Sequence, residues 1–330
     1  MHRKSLIACL FVLYVVAAVA IGSWSLSGLM GVSGTVFAQV KGAASDGVLL
    51  TQAPPSLEAY ASAPSRKTPE IPALQFALYA PQSGQVIVSS KQLQSIPIAS
   101  TTKLMTSHLV SKYGKLEDST TVSTTAASIN GSLSNLQAGE TISVKNLLYC
   151  LLLVSGNDAA HALAEYVGGV LLGSQSLADD AKTTRFVQAM NDEAALLHLD
   201  HTHYLDPAGL DDEGHSNAVD LAKVASLDIA DRKLQPIMDT ADNTVTDTSG
   251  AITHVLHNSD RLVSEYQYAG SLGGKTGFTP AAGHCLMSSA KRDGHTLIAV
   301  ILNTYSYTND ASALATKKLL DWGFENVSWQ

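Results

Sequence analysis

The chain is organised around one stretch, Ile96-Pro97-Ile98-Ala99-Ser100-Thr101-Thr102-Lys103-Leu104-Met105-Thr106. In it, Ser100 precedes Lys103 by three residues, at the point where an apolar periodic segment begins. Residues three apart lie on one face of a helix, so the spacing predicts that a weak nucleophile meets a possible base. The spacing alone is not specific, because Ser288-Ser289-Ala290-Lys291 repeats it. We predict that the first copy is functional, since two further polar motifs follow it in order.

The second motif is Ser155-Gly156-Asn157, which lies between two apolar helical segments. We expect the Ser155 hydroxyl to pass on a proton and the Asn157 amide to hold a substrate amide. An ordinary turn between helices, capped by Asn157, is the alternative interpretation. Ser128-Ile129-Asn130 repeats this pattern too, but without the preceding buried helix that would direct the polar groups into a cleft.

The third motif is Gly273-Gly274-Lys275-Thr276-Gly277-Phe278, which contains the only Lys-Thr-Gly of the chain. Gly277 permits close approach of a ligand to a strand, and Lys275 with Thr276 supplies a cation and a donor for a carboxylate. A glycine-rich strand end without function is the alternative interpretation.

Ser-x-x-Lys, Ser-x-Asn and Lys-Thr-Gly in this order resemble the signature of penicillin-recognising serine enzymes. The flanking residues narrow the resemblance to D-alanyl-D-alanine carboxypeptidases, the low-molecular-mass penicillin-binding proteins. They include Leu153-Val154 before the second motif, Asp158-Ala159-Ala160 after it, and the closing Lys318-Leu319-Leu320-Asp321-Trp322-Gly323. The resemblance covers about residues 73–325.

This resemblance implies that Ser100 is the acylated nucleophile and Lys103 its general base, while Ser155 moves the proton towards the leaving group. We expect burial and the helix N-terminus to lower the pKa of Lys103 until its amine is partly neutral near pH 7. Asn157 is expected to hold the substrate amide.

The resemblance also implies that Lys275 and Thr276 bind the terminal carboxylate or polarise Ser155. The oxyanion hole of the family consists of backbone N–H groups, which map here to Ser100 and to Phe278, next to Gly277. Many relatives have another residue at Phe278. We therefore predict Asn157, Lys275, Thr276, Gly277 and Phe278 as substrate-binding residues.

Hydrophobic periodicity predicts strands early and late in the chain, with a block of helices between them. The predicted strands are 74–79, 85–89, 285–291 and 296–303, the last two joined at Asp293-Gly294, a hairpin turn signal. The predicted helices are the Ser100 helix, ending near Gly114, then 144–153 capped by Ser143, 157–171, 177–197, 217–229 capped by Ser216, and 311–322 ending at Gly323. This order predicts an α+β fold, an antiparallel sheet covered by helices with an inserted helical lobe, as in the β-lactamase/transpeptidase fold that the resemblance implies.

Three regions are predicted. Residues 1–24 form a signal peptide or N-terminal membrane anchor, because the uncharged run 6–24 would span about 28 Å as a helix and follows Arg3-Lys4. Residues 25–72 form a flexible Pro/Ser/Gly/Ala-rich linker, and residues 73–330 form the catalytic domain. The positive N-terminal flank predicts an exported protein at the extracytoplasmic face of a bacterial cell membrane, anchored or secreted.

Composition excludes some partners. The net charge of −8 among 330 residues argues against nucleic acid, which needs a basic surface.

A disulfide between Cys150 and Cys285 is one interpretation, but their apolar neighbours favour two buried free thiols. His198, His201 and His203 with Asp206 suggest a metal site, yet such spacing at a helix end is more typical of a solvated face, so no metal or other cofactor is predicted.

The function that the resemblance implies is an exported serine carboxypeptidase that removes the terminal D-alanine from peptidoglycan stem peptides. Its acyl-enzyme would form on Ser100, and β-lactams would trap it. A β-lactamase is the first alternative, disfavoured because no Glu-x-x-Leu-Asn segment lies between Ser155 and Lys275. The second alternative is a β-lactam or cell-wall sensor that is acylated without turnover.

Overall fold

The computed structural model describes residues 61–62, 67–90, 94–306, 308 and 310–329. The predicted signal or anchor at 1–24 and most of the predicted linker at 25–72 lie outside the described residues. Within the linker, a two-residue strand β1 (Ala61–Ser62) pairs antiparallel with β13 (Val327–Ser328) at the end of the chain. The sheet that follows begins at Ala73.

Five antiparallel strands form the central sheet, in the order β10-β11-β12-β2-β3. They are β2 (Ala73–Ala80), β3 (Gln85–Ser89), β10 (Ser271–Thr279), β11 (Gly283–Arg292) and β12 (His295–Thr304). The four predicted strands are confirmed as β2, β3, β11 and β12, and so is the predicted hairpin between β11 and β12. Asp293 and Gly294 turn this hairpin with φ of 50° and 86°, the left-handed pair that a two-residue hairpin turn requires.

Side chains of each central strand alternate between two apolar cores, because successive residues point to opposite faces. On β12, Leu297 and Ile301 pack in one core with Leu319 of the last helix. Ile298 belongs to the other core, together with Leu221 from the helical side. The sheet is therefore covered on both faces.

Helices fill the middle of the chain, which confirms the inserted helical lobe and the α+β class. The longer ones are α1 (Lys103–Tyr113), α3 (Val144–Leu152), α4 (Asn157–Leu172), α5 (Asp179–Leu196), α6 (Ala218–Ala230) and the C-terminal α9 (Ala311–Asn326). Short helices are α2 (Thr124–Ala127), α7 (Gln235–Met238) and α8 (Arg261–Ser264).

Two predicted helix boundaries are wrong for local physical reasons. The last helix continues past Gly323 to Asn326. Gly323 packs against the sheet, where a Cβ would lie 2.7 Å from side-chain atoms of both Leu78 and Leu297. This glycine lets the helix approach the sheet rather than end it. Ser216 does not cap α6. It lies in β7 (His215–Ser216), and the Asn217 side chain accepts the capping bonds instead.

Several short strands escaped the sequence analysis. They form the pairs β4 (Ile96–Pro97) with β7, β5 (Ser119–Thr121) with β6 (Thr141–Ser143), and β8 (Asp242–Thr246) with β9 (Thr253–His257). Among the described residues, no helix is both long and apolar enough to cross a membrane.

Candidate active site

Ser100 and Lys103 are brought together by a change of helix type. Ser100 lies in a 3₁₀ turn (Ala99–Thr102), and Lys103 is the first residue of α1. Side chains three apart eclipse each other in a 3₁₀ helix, and Lys103 Nζ lies 2.7 Å from Ser100 Oγ. The predicted nucleophile and base are therefore in direct contact.

The backbone before Ser100 is strained. Ala99 has a φ of 47°, in the left-handed region that non-glycine residues rarely adopt. Gly209 (φ 76°) packs against it so closely that a Cβ on Gly209 would lie 2.0 Å from the Ala99 carbonyl oxygen. Strain of this kind costs of order 1–3 kcal/mol and persists where surrounding structure enforces it, often at functional sites.

The amine of Lys103 is fully buried and bound on three sides. Besides Ser100, it contacts Asn157 Oδ1 at 2.7 Å and the carbonyl oxygen of Ala208 at 2.8 Å. Burial lowers the pKa of Lys103 to about 7, against the opposing influence of the Asp206 and Asp158 carboxylates. Because two partners are fixed acceptors, a neutral amine directs its N–H groups at them and its lone pair at Ser100.

Asp206 organises the loop that supplies the Ala208 carbonyl, a role that the sequence analysis missed. Its carboxylate accepts four backbone N–H bonds of 2.6–2.9 Å, from Ala208, Gly209, Leu210 and Asp211. Aspartate side chains commonly accept hydrogen bonds from backbone N–H groups that follow them in a turn. The carboxylate lone pairs are thus engaged by the backbone.

Ser155 and Asn157 flank the junction between α3 and α4. Ser155 is buried with a φ of 62°, a second strained non-glycine residue of the site. The Asn157 amide is used at both ends, since its oxygen accepts from Lys103 and its nitrogen donates to the carbonyl oxygen of Asn130 at 2.7 Å. Asn130, the last residue of the second copy Ser128-Ile129-Asn130, thus contributes its backbone carbonyl to the site rather than its side chain.

Lys275 projects from β10 into the same cluster. It is 1% exposed, and its Nζ donates to Ser155 Oγ at 2.8 Å and to the Thr276 carbonyl oxygen at 2.7 Å. Burial, reinforced by the nearby positive charge of Lys103, moves the pKa of Lys275 well below its usual range, although the Asp260 carboxylate opposes this. Lys275 therefore faces Ser155 rather than open solvent.

Gly277 brings β10 against the 3₁₀ turn. A Cβ at this position would lie 3.1 Å from the backbone nitrogen of Ser100 and 3.0 Å from the Ile98 carbonyl oxygen. The next side chain, Phe278, is 52% exposed, and its ring centroid lies 4.5 Å from that of His284. Thr276 Oγ1 lies 2.6 Å from Ser259 Oγ.

The predicted residues border one open cleft of about 330 Å³. Its walls include Ser100, Ser155, Thr276, Gly277 and Phe278, with Lys103, Asn157 and Lys275 buried behind them. The sequence analysis missed several polar residues of the wall, among them Ser132, Ser259 and Arg261. They lie in loops and a short helix, where no pattern in a single sequence identifies them.

The remaining candidates lie elsewhere. Ser288 and Lys291 are on strand β11, where Ser288 Oγ donates to Asp260, so this copy is no nucleophile–base pair. Cys150 and Cys285 are buried free thiols, which confirms the favoured interpretation. Among the described residues, no cluster of histidine, cysteine and acidic side chains has the arrangement of a metal site.

Comparison with known proteins places this geometry in context. The sequence matches the profile of the D-alanyl-D-alanine carboxypeptidase family, peptidase family S11, over residues 62–306. It is 32% identical over 285 residues to D-alanyl-D-alanine carboxypeptidase DacF of Bacillus subtilis, covering 84% of this chain and 68% of that protein. It is also 32% identical over 236 residues to the D-alanyl-D-alanine carboxypeptidase of Streptomyces sp. strain K15, covering 68% of this chain and 78% of the relative.

A solved structure shares the fold. The crystal structure of the Streptomyces K15 DD-transpeptidase matches this structure with a TM-score of 0.72 at 27% sequence identity. The match covers 79% of this chain and 100% of the other. This confirms the predicted transpeptidase-like fold.

Proposed function

This chain belongs to the D-alanyl-D-alanine carboxypeptidase family of penicillin-binding serine peptidases, and we propose that it removes the terminal D-alanine of peptidoglycan stem peptides through an acyl-enzyme on Ser100. The observation that carries the proposal is the position of the Lys103 amine. It is buried, has a pKa of about 7 and lies 2.7 Å from the Ser100 hydroxyl. A base with a pKa near the working pH is the most effective one for such a step.

Acylation follows from these contacts. Ser100 Oγ attacks the carbonyl carbon of the penultimate D-alanine while its proton passes to Lys103 Nζ. The bond from that carbon to the leaving nitrogen then breaks, and the nitrogen takes a proton from the Ser155 hydroxyl, which regains one from the neighbouring lysines. Water attacks the ester carbon in the second half-reaction while Lys103 Nζ takes its proton. The bond from that carbon to Ser100 Oγ then breaks, and Ser100 Oγ recovers a proton from Lys103.

The negative charge that forms on the substrate oxygen needs donors in fixed positions. The backbone N–H groups of Ser100 and Phe278 are our candidates for this oxyanion hole. The contact of Gly277 with the 3₁₀ turn supports the proposal, because it brings this part of β10 next to the Ser100 nitrogen.

Arg261 is our candidate for recognition of the terminal carboxylate, together with Thr276. Lys275 is buried behind the cleft with a lowered pKa, whereas the guanidinium of Arg261 lies in the wall and stays charged. Arg261 is held by Glu265 at 2.9 Å and by Asp310. These partners orient the guanidinium without burying it, since its side chain is 29% exposed.

β-Lactams are proposed to form the same Ser100 ester, and slow hydrolysis of that ester would make them inhibitors.

We also propose that the protein is exported and remains attached through residues 1–24 or is released after their removal. The uncharged run 6–24 behind Arg3-Lys4 supports this. Residues 25–72 would then join the segment to the catalytic domain.

Labelling with a fluorescent penicillin tests the acyl-enzyme. We expect one covalent label per chain, found by peptide mapping at Ser100, and no label on a folded Ser100→Ala variant. Undiminished labelling of Ser100→Ala would refute the assignment. Rapid turnover of a chromogenic cephalosporin would favour a β-lactamase instead.

A further inference from the structure

A buried histidine–glutamate pair lies outside the catalytic cluster. His254 of β9 and Glu140, just before β6, have side chains that are 4% and 0% exposed. The Nε2 atom of His254 lies 2.7 Å from Glu140 Oε1, and its Nδ1 atom lies 2.9 Å from the carbonyl oxygen of Ser134. The other carboxylate oxygen of Glu140 accepts from the Gln137 N–H at 2.9 Å.

Both ring nitrogens of His254 therefore face oxygen atoms. The Ser134 carbonyl can only accept, so Nδ1 carries a hydrogen. The contact with Glu140 needs a second proton, either on Nε2 or on the carboxyl group. The pair thus holds one more proton than a neutral histidine beside an ionised glutamate, and both contacts depend on it.

The pair anchors the segment 130–140 that supports Asn157. Asn130 supplies the carbonyl oxygen that accepts from the Asn157 side chain. Ser132 supplies a carbonyl oxygen to the Asn157 backbone N–H at 2.8 Å. Asn157 in turn contacts Lys103 Nζ. The short backbone stretch 130–134 and these hydrogen bonds thus connect His254 to the proposed base.

We propose that His254, held by Glu140, is a positioning residue for Asn157 and Lys103. It fixes segment 130–140 to the β8–β9 hairpin through the Ser134 carbonyl, and loss of this contact releases the segment and displaces Asn157. The inference rests on the proposed function, because it assigns no chemistry to His254 itself and acts through the Ser100–Lys103 reaction.

Few other titratable groups face this pair from the elements around it. Asp158 of α4 lies on the other side of Ser134 and accepts its N–H at 3.0 Å. Cys150 of α3 is next to Ser134, and burial raises the pKa of its thiol to about 12. On β9 itself, His254 is opposite the apolar Val245. The Asp158 carboxylate can only accept, and the Cys150 thiol is at most a weak donor, so neither replaces His254 at the Ser134 carbonyl.

Glu140→Gln is the decisive variant. Its amide can donate to a neutral His254 at Nε2 and still accept from the Gln137 N–H, so every contact is satisfied without the extra proton. We expect Glu140→Gln to be labelled at Ser100 by fluorescent penicillin at close to the wild-type rate. Glu140→Leu, which cannot hold His254, should be labelled about 10- to 100-fold more slowly.

His254→Leu should lower the labelling rate about 10- to 100-fold at all pH values, since small displacements of reacting groups have effects of this size. His257→Leu is the matched control. It lies on the same strand in an exposed pair with Asp242 at 2.5 Å, and should label as the wild type does. Near-UV circular dichroism establishes that each variant is folded.

Wild-type labelling speed for a folded His254→Leu would overturn the inference. So would equal labelling rates of folded Glu140→Gln and Glu140→Leu, and this second comparison decides the matter if His254→Leu does not fold. A wild-type protein that takes no label at all would instead refute the proposed function.

Discussion

The side-chain oxygen of Asn157 accepts a 2.7 Å hydrogen bond from Lys103 Nζ. This contact joins the first two sequence motifs and gives Asn157 a function in the free enzyme, which is to hold the amine. Together with the Ala208 carbonyl, it leaves one direction of the amine free, and Ser100 lies in that direction.

The first prediction concerns pH. Only neutral Lys103 can take the Ser100 proton, and burial lowers the pKa of Lys103 to about 7. The rate constant of acylation should therefore be constant on the alkaline side of pH 7. On the acid side it should fall about tenfold per pH unit. Stopped-flow measurement with a β-lactam gives this profile. A rate that stays constant well below pH 7 would remove Lys103 from the role of base.

The second prediction is that Asn157→Asp moves this profile to higher pH. The substitution keeps the shape of the side chain but puts a carboxylate beside the Lys103 ammonium. An opposite charge at this distance raises a lysine pKa by about 1–3 units. The acid limb of the acylation profile should shift by at least about one unit, and the plateau should be lower because the carboxylate cannot donate to the Asn130 carbonyl. A reduced rate with an unshifted limb would mean that Asn157 acts mainly on the substrate.

The third prediction tests the close approach of Gly209 to Ala99. Gly209→Ala should lower the acylation rate about 100-fold, because the added Cβ must displace the Ala99 carbonyl next to the nucleophile. Gly173→Ala is the matched control, since Gly173 has a similar φ of 73° but no neighbour within 4 Å. Gly173→Ala should lose about 1 kcal/mol of stability from the left-handed backbone, and Gly209→Ala should lose more because it must also displace the Ala99 carbonyl. Only Gly209→Ala should lose activity.

The fourth prediction concerns Arg261. Arg261→Gln should lower kcat/KM about 10- to 100-fold for a peptide ending in D-Ala-D-Ala, because removal of one hydrogen bond to a charged group usually has an effect of this size. The same peptide with a C-terminal amide should be affected little. Arg292→Gln, which removes another arginine bonded to a carboxylate, is the control. Equal losses on acid and amide would indicate that Arg261 supports the fold rather than binds the carboxylate.

Much of the fold could be predicted because its signals are local. The strand alternation at 74–79 and 85–89, the Asp293-Gly294 turn and the helical periodicity each need only a few neighbouring residues. The helix end assigned to Gly323 failed because this glycine serves a contact with Leu78, far away in sequence. The cap at Ser216 failed because pairing in β7 decides the role of that serine.

The candidate site, too, could be predicted where its signals are local but not where they depend on contacts between residues distant in sequence. Ordered motifs identified the residues that cluster in the structure, from Ser100 to Phe278. The acceptors that direct Lys103 could not be found this way, because the Ala208 carbonyl is a backbone group positioned by Asp206. Arg261 and His254 were missed as well, since their neighbours in space are distant in sequence and only the folded chain brings them together.

Release of D-alanine tests the central claim most directly. The purified protein is incubated with a diacyl peptide ending in D-Ala-D-Ala, and free D-alanine is measured with D-amino acid oxidase. We predict steady release by the wild type and a rate at least about 10⁴-fold lower for Ser100→Ala. Release by a folded Ser100→Ala variant at the wild-type rate, or no release by a wild type that accepts penicillin, would contradict the account.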